Sequence, residues 1–218
     1  MMDFPKELLD GYRAWHDERL PAERGRLAQL ARLGQAPQAL IISCCDSRVA
    51  PETVFSVGPG EMFVVRNVAN LVPPYQPDGD YHSTSAAIEF AVTGLSVPHI
   101  VILGHTRCGG VGAYLQGAFS PEARGEFIGR WMDLVEGSRE EALAADPNLE
   151  GSELAIAVER VAIRRSLANL RTFPEIARRE AAGSTSLHGA HIDIATGELF
   201  ILDKATDTFV PAVASVIA

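Results

Sequence analysis

Two short stretches of the chain hold residues suited to binding a soft metal: Cys44-Cys45-Asp46-Ser47-Arg48, and further on His105-Thr106-Arg107-Cys108. Thiolate and imidazole together suit zinc best. Cys44, His105 and Cys108 make three protein ligands. Structural zinc sites close with four, whereas catalytic sites keep one position for water or substrate. Asp46 and Arg48 are two residues apart, close enough for the guanidinium fork to grip the carboxylate in a bidentate pair. Such a grip would hold Asp46 beside the open position and not on it. A competing register uses Cys45 as the ligand and leaves Cys44 to packing.

Each stretch follows a short apolar run, Ala39-Leu40-Ile41-Ile42-Ser43 and Ile100-Val101-Ile102-Leu103-Gly104, of the kind expected for buried parallel strands. Ligands of open α/β sheets sit beyond the carboxyl ends of the strands, so the two runs would bring the candidate ligands together at one end of one sheet. Gly109-Gly110 predicts a tight turn after the second stretch, and Val111, Tyr114 and Leu115 begin a helix. Cys108 then lies near a helix N-terminus, where the dipole favours a thiolate.

The remaining elements follow from periodicity and breakers. Pro5 suits the first turn of a helix that carries Leu8, Leu9, Tyr12, Trp15 and His16 on one face, and Pro21 opens a second helix stopped by Gly34. A second strand is expected over 61–66. Pro73, Pro74, Pro77 and Gly79 forbid regular structure between Asn67 and Tyr81, and a loop of that length is usually functional. Helices are expected over 82–93, within 125–145, over 154–170 and over 174–182. Ala195-Thr196-Gly197 joins two closing strands in a hairpin.

At 218 residues the chain is long enough to bury a sizeable core as one domain. A formal net charge of -9 and a pI near 5.1 argue against a nucleic-acid partner, which needs clustered positive charge. Three cysteines are too few, and odd in number, for a disulfide framework. No apolar run reaches membrane-span length and the start lacks signal-peptide character, so a cytoplasmic protein with no membrane partner is expected.

Cys44-x-Asp46-x-Arg48 followed by His105-x-x-Cys108-Gly109-Gly110 resembles the β-class carbonic anhydrases, in particular their plant-like subgroup. The similarity extends through Gly60 to Tyr75, Ser85 to Phe90 and His188 to Leu199, and covers most of the chain from about Gln35 to Leu202. The resemblance implies one Zn2+ per chain on Cys44, His105 and Cys108, and reversible hydration of carbon dioxide to bicarbonate and a proton. It implies catalytic roles for Asp46 and Arg48, and it disfavours the Cys45 register. Phe63, Phe90, Gly109 and Gln35 match residues of the carbon dioxide pocket, with Gln35 contributed across a dimer interface.

The fold implied is Rossmann-like: four parallel strands with an antiparallel edge strand, flanked by helices. It divides into a helical arm (1–36), a catalytic core (37–203) and a C-terminal tail (204–218), and assembles as a homodimer or dimer of dimers. Two rival functions use the same residues: hydrolysis of carbon disulfide or carbonyl sulfide, and a non-catalytic zinc-stabilised binding or shell protein with Asp46 as permanent fourth ligand.

His188 and His191 stand in a His-x-x-His pattern, yet that spacing in a strand puts them on opposite faces, so hydrogen bonding or an interface is expected of them, not a second metal. His16, His82 and His99 are expected at the surface or in packing. The glycines at 109, 110 and 112 fit no nucleotide-binding template. One subgroup of the family binds inhibitory bicarbonate through a Trp, an Arg and a Tyr. Here Arg66 is kept, but Ile41 and Ile192 stand at the other two positions.

Overall fold

The structure is a computed structural model that describes residues 4–79, 81–120, 123 and 125–213. The first three residues of the expected arm and residues 214–218 of the expected tail lie outside the described residues.

In chain order the elements are α1 (Lys6–Ala14), α2 (Leu20–Leu33), β1 (Ala39–Cys44), α3 (Pro51–Val54), β2 (Met62–Asn67), α4 (Ser83–Glu89), β3 (His99–His105), α5 (Gly109–Leu115), α6 (Ile128–Met132), α7 (Glu136–Ala145), α8 (Gly151–Leu170), α9 (Pro174–Ala181), β4 (Ser186–Ile192), β5 (Leu199–Asp203) and β6 (Thr208–Pro211). One six-stranded sheet has the order β2-β1-β3-β4-β5-β6. β2, β1, β3 and β4 run parallel, and β5 and β6 are antiparallel. The expected four parallel strands and antiparallel edge are therefore present, and the stretch expected as a tail supplies one strand more, β6.

The sequence separates the arm into two helices at Pro21, but the helical path is continuous. A π turn over Trp15–Arg19 joins α1 to α2, and Pro21 sits in the first turn of α2. The wider turn accommodates a residue that has no N–H and whose ring crowds the preceding turn. A second π turn, Phe90–Gly94, extends α4.

The core lies on both faces of the sheet. On one face Leu40, Ile42, Ile100, Ile102 and Leu187 pack against Ile163, Leu167 and Leu170 of α8 and against residues of α4 and α9. Gly104 and Gly189 set how closely α8 can approach. A Cβ on Gly104 would stand 2.8 Å from Ile163 Cδ1, and one on Gly189 2.8 Å from Ile163 Cγ2. On the opposite face Ile41, Leu103, Ala190 and Ile192 are buried, while Ala39, Met62, Val64, Val101 and Leu199 are half-buried. Neither α1 nor α2 buries a residue within the chain. Among the described residues no helix is long and apolar enough to cross a membrane.

Candidate metal centre

β1 and β3 are neighbours in parallel register, with Ser43 opposite Leu103. Both runs are almost wholly buried, as central strands covered on both faces must be. Their carboxyl ends deliver Cys44 and His105 side by side. α5 begins immediately beyond, with Cys108 as its N-cap. The sequence places the tight turn at Gly109-Gly110, but the left-handed residue is Arg107, at φ +56°. Gly110 serves another need, since a Cβ there would meet Val68 Cγ1 at 2.8 Å.

Cys44 Sγ, a ring nitrogen of His105 and Cys108 Sγ lie within 4.8 Å of one another, and all three residues are buried. The two sulfurs are 4.0 Å apart. Two Zn–S bonds of about 2.3 Å at a tetrahedral angle separate their sulfurs by about 3.8 Å. His105 Nδ1 lies 2.9 Å from the Thr106 carbonyl oxygen, to which it donates, leaving the Nε2 lone pair free. That buried Nε2 has no hydrogen-bond partner, an arrangement costly in a dry interior unless a ligand takes the lone pair. Donor type, spacing and the orphaned nitrogen all fit zinc.

The electrostatics suit a cation as well. The Cys44 thiol is held well below its ordinary value, first by its hydrogen bond with Cys108 and, against the effect of burial, by His105 and the Ala69 N–H. The same sulfur–sulfur contact, with burial, pushes the Cys108 thiol up. His105 is pulled down by burial but raised on balance by Cys44, Thr106 and Asp46. Ala69 donates to Cys44 Sγ at 3.4 Å; it and Asn70 hold left-handed conformations, of the kind that cluster at functional sites.

Arg48 grips Asp46 with both arms of its fork, Nε to Oδ1 at 2.8 Å and Nη2 to Oδ2 at 2.7 Å. The Arg48 backbone N–H adds a bond to Oδ1 at 3.0 Å. These bonds, the Arg48 side chain first, hold the Asp46 carboxyl well below the usual carboxylate range. Arg66 ties down the turn beneath by donating to the carbonyls of Cys44, Asp46 and Val49. Cys45 is exposed and stands apart from the cluster.

Of the four expected pocket residues, Gly109 follows Cys108 directly and opens α5. Gln35 is exposed, and the Phe63 and Phe90 rings pair with each other at 5.8 Å. Phe63 lies on β2 four residues before Asn67, the partner of Cys44, which is roughly 13 Å along the strand at about 3.3 Å per residue. As expected, His188 and His191 face apart. His188 meets Ser186 Oγ at 2.8 Å, while the buried His191 meets Glu159 Oε2 at 3.1 Å.

Glu159 is the residue the sequence reading missed. Its other oxygen accepts from the Cys108 N–H at 3.0 Å. In the sequence it stands as an ordinary Glu-Arg pair between the apolar residues Val158 and Val161 of α8.

The family model for carbonic anhydrase matches residues 39–199. A carbonic anhydrase of Pseudomonas aeruginosa is 38% identical over 207 residues, covering 94% of this chain and 90% of that protein. The solved β-carbonic anhydrase CcaA superposes with a TM-score of 0.87 at 31% identity, over 94% of this chain and 98% of that one. One of two tetrameric β-carbonic anhydrases from Sordaria macrospora gives a TM-score of 0.77 at 31% identity, over 90% and 95%. The family model and these relatives, matched over this span, place the chain, with its Cys-His-Cys cluster at the carboxyl ends of a parallel sheet, in the β-class carbonic anhydrases, zinc lyases that hydrate carbon dioxide reversibly to bicarbonate and a proton.

Proposed function

We propose that Cys44, His105 and Cys108 hold one zinc ion per chain and that Asp46, kept in place by Arg48, is the catalytic carboxylate. The observation that carries this reading is the bidentate Arg48–Asp46 pair, with Asp46 Oδ2 3.9 Å from the orphaned His105 Nε2. Bound there, zinc supplies a Lewis acid that lowers the pKa of water toward about 7. Asp46 accepts a hydrogen bond from the attacking water and so aims its lone pair at carbon dioxide. Arg48 neutralises Asp46 and keeps both carboxylate oxygens engaged, which favours the open arrangement over Asp46 as a permanent fourth ligand.

The carbon dioxide pocket is completed by a second subunit. Gly109 lies beside its own chain's ligands, whereas Phe63, Phe90 and Gln35 are offered to a partner. The distance of Phe63 from the level of Cys44 along β2 and the 53% exposure of Phe90 support this. So do the unburied arm, with Leu8 61% and Tyr12 56% exposed, and the half-open sheet face. The tetrameric relatives of Sordaria macrospora favour a homodimer or dimer of dimers. Three free cysteines suit a reducing compartment, and we assign the chain to the cytoplasm.

Stopped-flow hydration of carbon dioxide with a pH indicator, run beside metal analysis, tests the reading. Activity is expected to scale with zinc content. Faster turnover of carbon disulfide or carbonyl sulfide, or zinc-loaded protein without hydration, would overturn it.

A further inference from the structure

α8 presents Val158, Val161, Ala162, Ile163 and Leu167 to the interior, yet Glu159 in the same stretch is only 4% exposed. Its place follows from the glycines beneath the helix. Gly104 and Gly189 let α8 settle onto β3 and β4 at Ile163, and Glu159 lies four residues earlier, on the same face. That turn reaches the carboxyl ends of the strands, where Gly104 is paired with His191. A buried carboxylate is costly unless its oxygens are engaged. Glu159 spends one on His191 Nε2, and the other on the backbone N–H of Cys108.

The carbonyl of that same peptide group, Arg107 C=O, accepts from Arg48 Nη2 at 3.1 Å. In a trans peptide the N–H and C=O point in opposite directions, so Glu159 and Arg48 hold the 107–108 peptide from its two ends. Arg48 Nη2 is also the nitrogen that donates to Asp46 Oδ2. A connected series therefore runs from the core to the surface: His191, Glu159, the 107–108 peptide, Arg48, Asp46. Arg107 is left-handed, a conformation that leaves this peptide dependent on outside contacts to keep its orientation.

We propose that Glu159 is a positioning residue for the Arg48–Asp46 pair and acts through the peptide between Arg107 and Cys108. The anionic acceptor at the N–H end polarises the peptide and strengthens the carbonyl as an acceptor for Arg48. It also prevents the peptide from flipping. The inference rests on the reading of Asp46 and Arg48 given above.

The test combines kinetics with nuclear magnetic resonance on the full chain. Glu159→Gln keeps an acceptor for the Cys108 N–H without the charge, and Glu159→Ala removes the acceptor. Loss of outer partners at metal sites costs about 10- to 100-fold. Glu159→Ala is expected to fall in that range in kcat with zinc retained, and Glu159→Gln to recover part of the loss. If Glu159→Ala does not fold, Glu159→Gln with reduced kcat at full zinc occupancy carries the comparison.

In an Arg48→Ala background, Glu159→Gln is expected to have no further effect, because the group it works through is gone. Wild-type kcat in Glu159→Gln, an undiminished effect in Arg48→Ala, or activity lost only in step with zinc would overturn the proposal. The Arg48 Nε–H resonance is expected to shift in Glu159→Gln whether or not zinc is bound. An unmoved resonance overturns the linkage. Full turnover in Arg48→Ala overturns the catalytic reading, and the Arg48 resonance then still decides whether Glu159 is linked to Arg48.

Discussion

Asp46 Oδ2 lies 2.7 Å from Arg48 Nη2 and 3.9 Å from His105 Nε2. The carboxylate thus faces the metal ligands while its charge is held by a guanidinium. Coordination by Asp46 would require it to leave two charge-assisted bonds, which are roughly twice as strong as neutral ones.

Removal of Arg48 frees the carboxylate to move toward the metal. Arg48→Ala is expected to keep zinc and to lose about 100-fold or more in kcat, the scale on which misplacing a reacting group by 1 Å acts. Stopped-flow assays with metal analysis check this, and wild-type rates in zinc-loaded Arg48→Ala would refute the role given to the pair.

Cys44 and Cys108 are buried 4.0 Å apart, whereas Cys45 is exposed. Cys44→Ser and Cys108→Ser are expected to purify with little zinc and little activity, since a three-ligand site cannot spare one. Cys45→Ser is expected to keep both. A zinc-free Cys45→Ser beside a loaded Cys44→Ser would mean that the metal uses the other register.

The three ligands and the two strands that carry them were legible because a buried parallel strand reads as a continuous apolar run, and because few uses other than metal binding explain Cys and His-x-x-Cys at two strand ends. Glu159 was not legible. A Glu in a helix reads as a solvent-facing residue by default, and only its burial and its contacts with His191 and the Cys108 N–H show that this one turns inward. Arg107 was obscured by the glycines that follow it, which draw the expectation of a left-handed turn to themselves. β6, at four residues with Pro211 at its end, is too short for an alternation to show. How far Phe63 lies from the level of Cys44 needed the register of β2 against β1, not the composition of β2.

The arm leaves Phe4, Leu8, Tyr12 and Leu33 each more than half exposed. Full burial of a Leu or Phe side chain contributes roughly 1.5–3 kcal/mol, so covering these residues would favour assembly against the cost of association. Sedimentation is expected to find a dimer or larger. Deletion of residues 1–33 is expected to weaken that assembly and lower activity together, because the pocket residues of the partner are lost with it. A wild-type assembly after the deletion, or a fully active monomer at micromolar concentration, would count against the interfacial pocket.

The last prediction concerns bicarbonate. Its inhibitory pocket in one subgroup of the family needs an indole N–H, a guanidinium and a phenol. Ile41 and Ile192 occupy two of those positions, and both are packed into the core, 2% and 8% exposed. The third group is also committed: Arg66 donates at 2.9, 2.7 and 3.2 Å to the carbonyls of Cys44, Asp46 and Val49. An anion buried there would meet two aliphatic side chains and a guanidinium that spends three of its five N–H donors on the turn that carries Asp46, so most of the hydrogen bonds a buried anion needs would be missing. Initial rates at neutral pH are therefore expected to show no cooperative inhibition as bicarbonate is raised, and a crystal structure at neutral pH is expected to keep Asp46 on Arg48. Steep bicarbonate inhibition, or Asp46 coordinated to zinc at neutral pH, would show that this chain closes its site by some route other than the pocket it lacks.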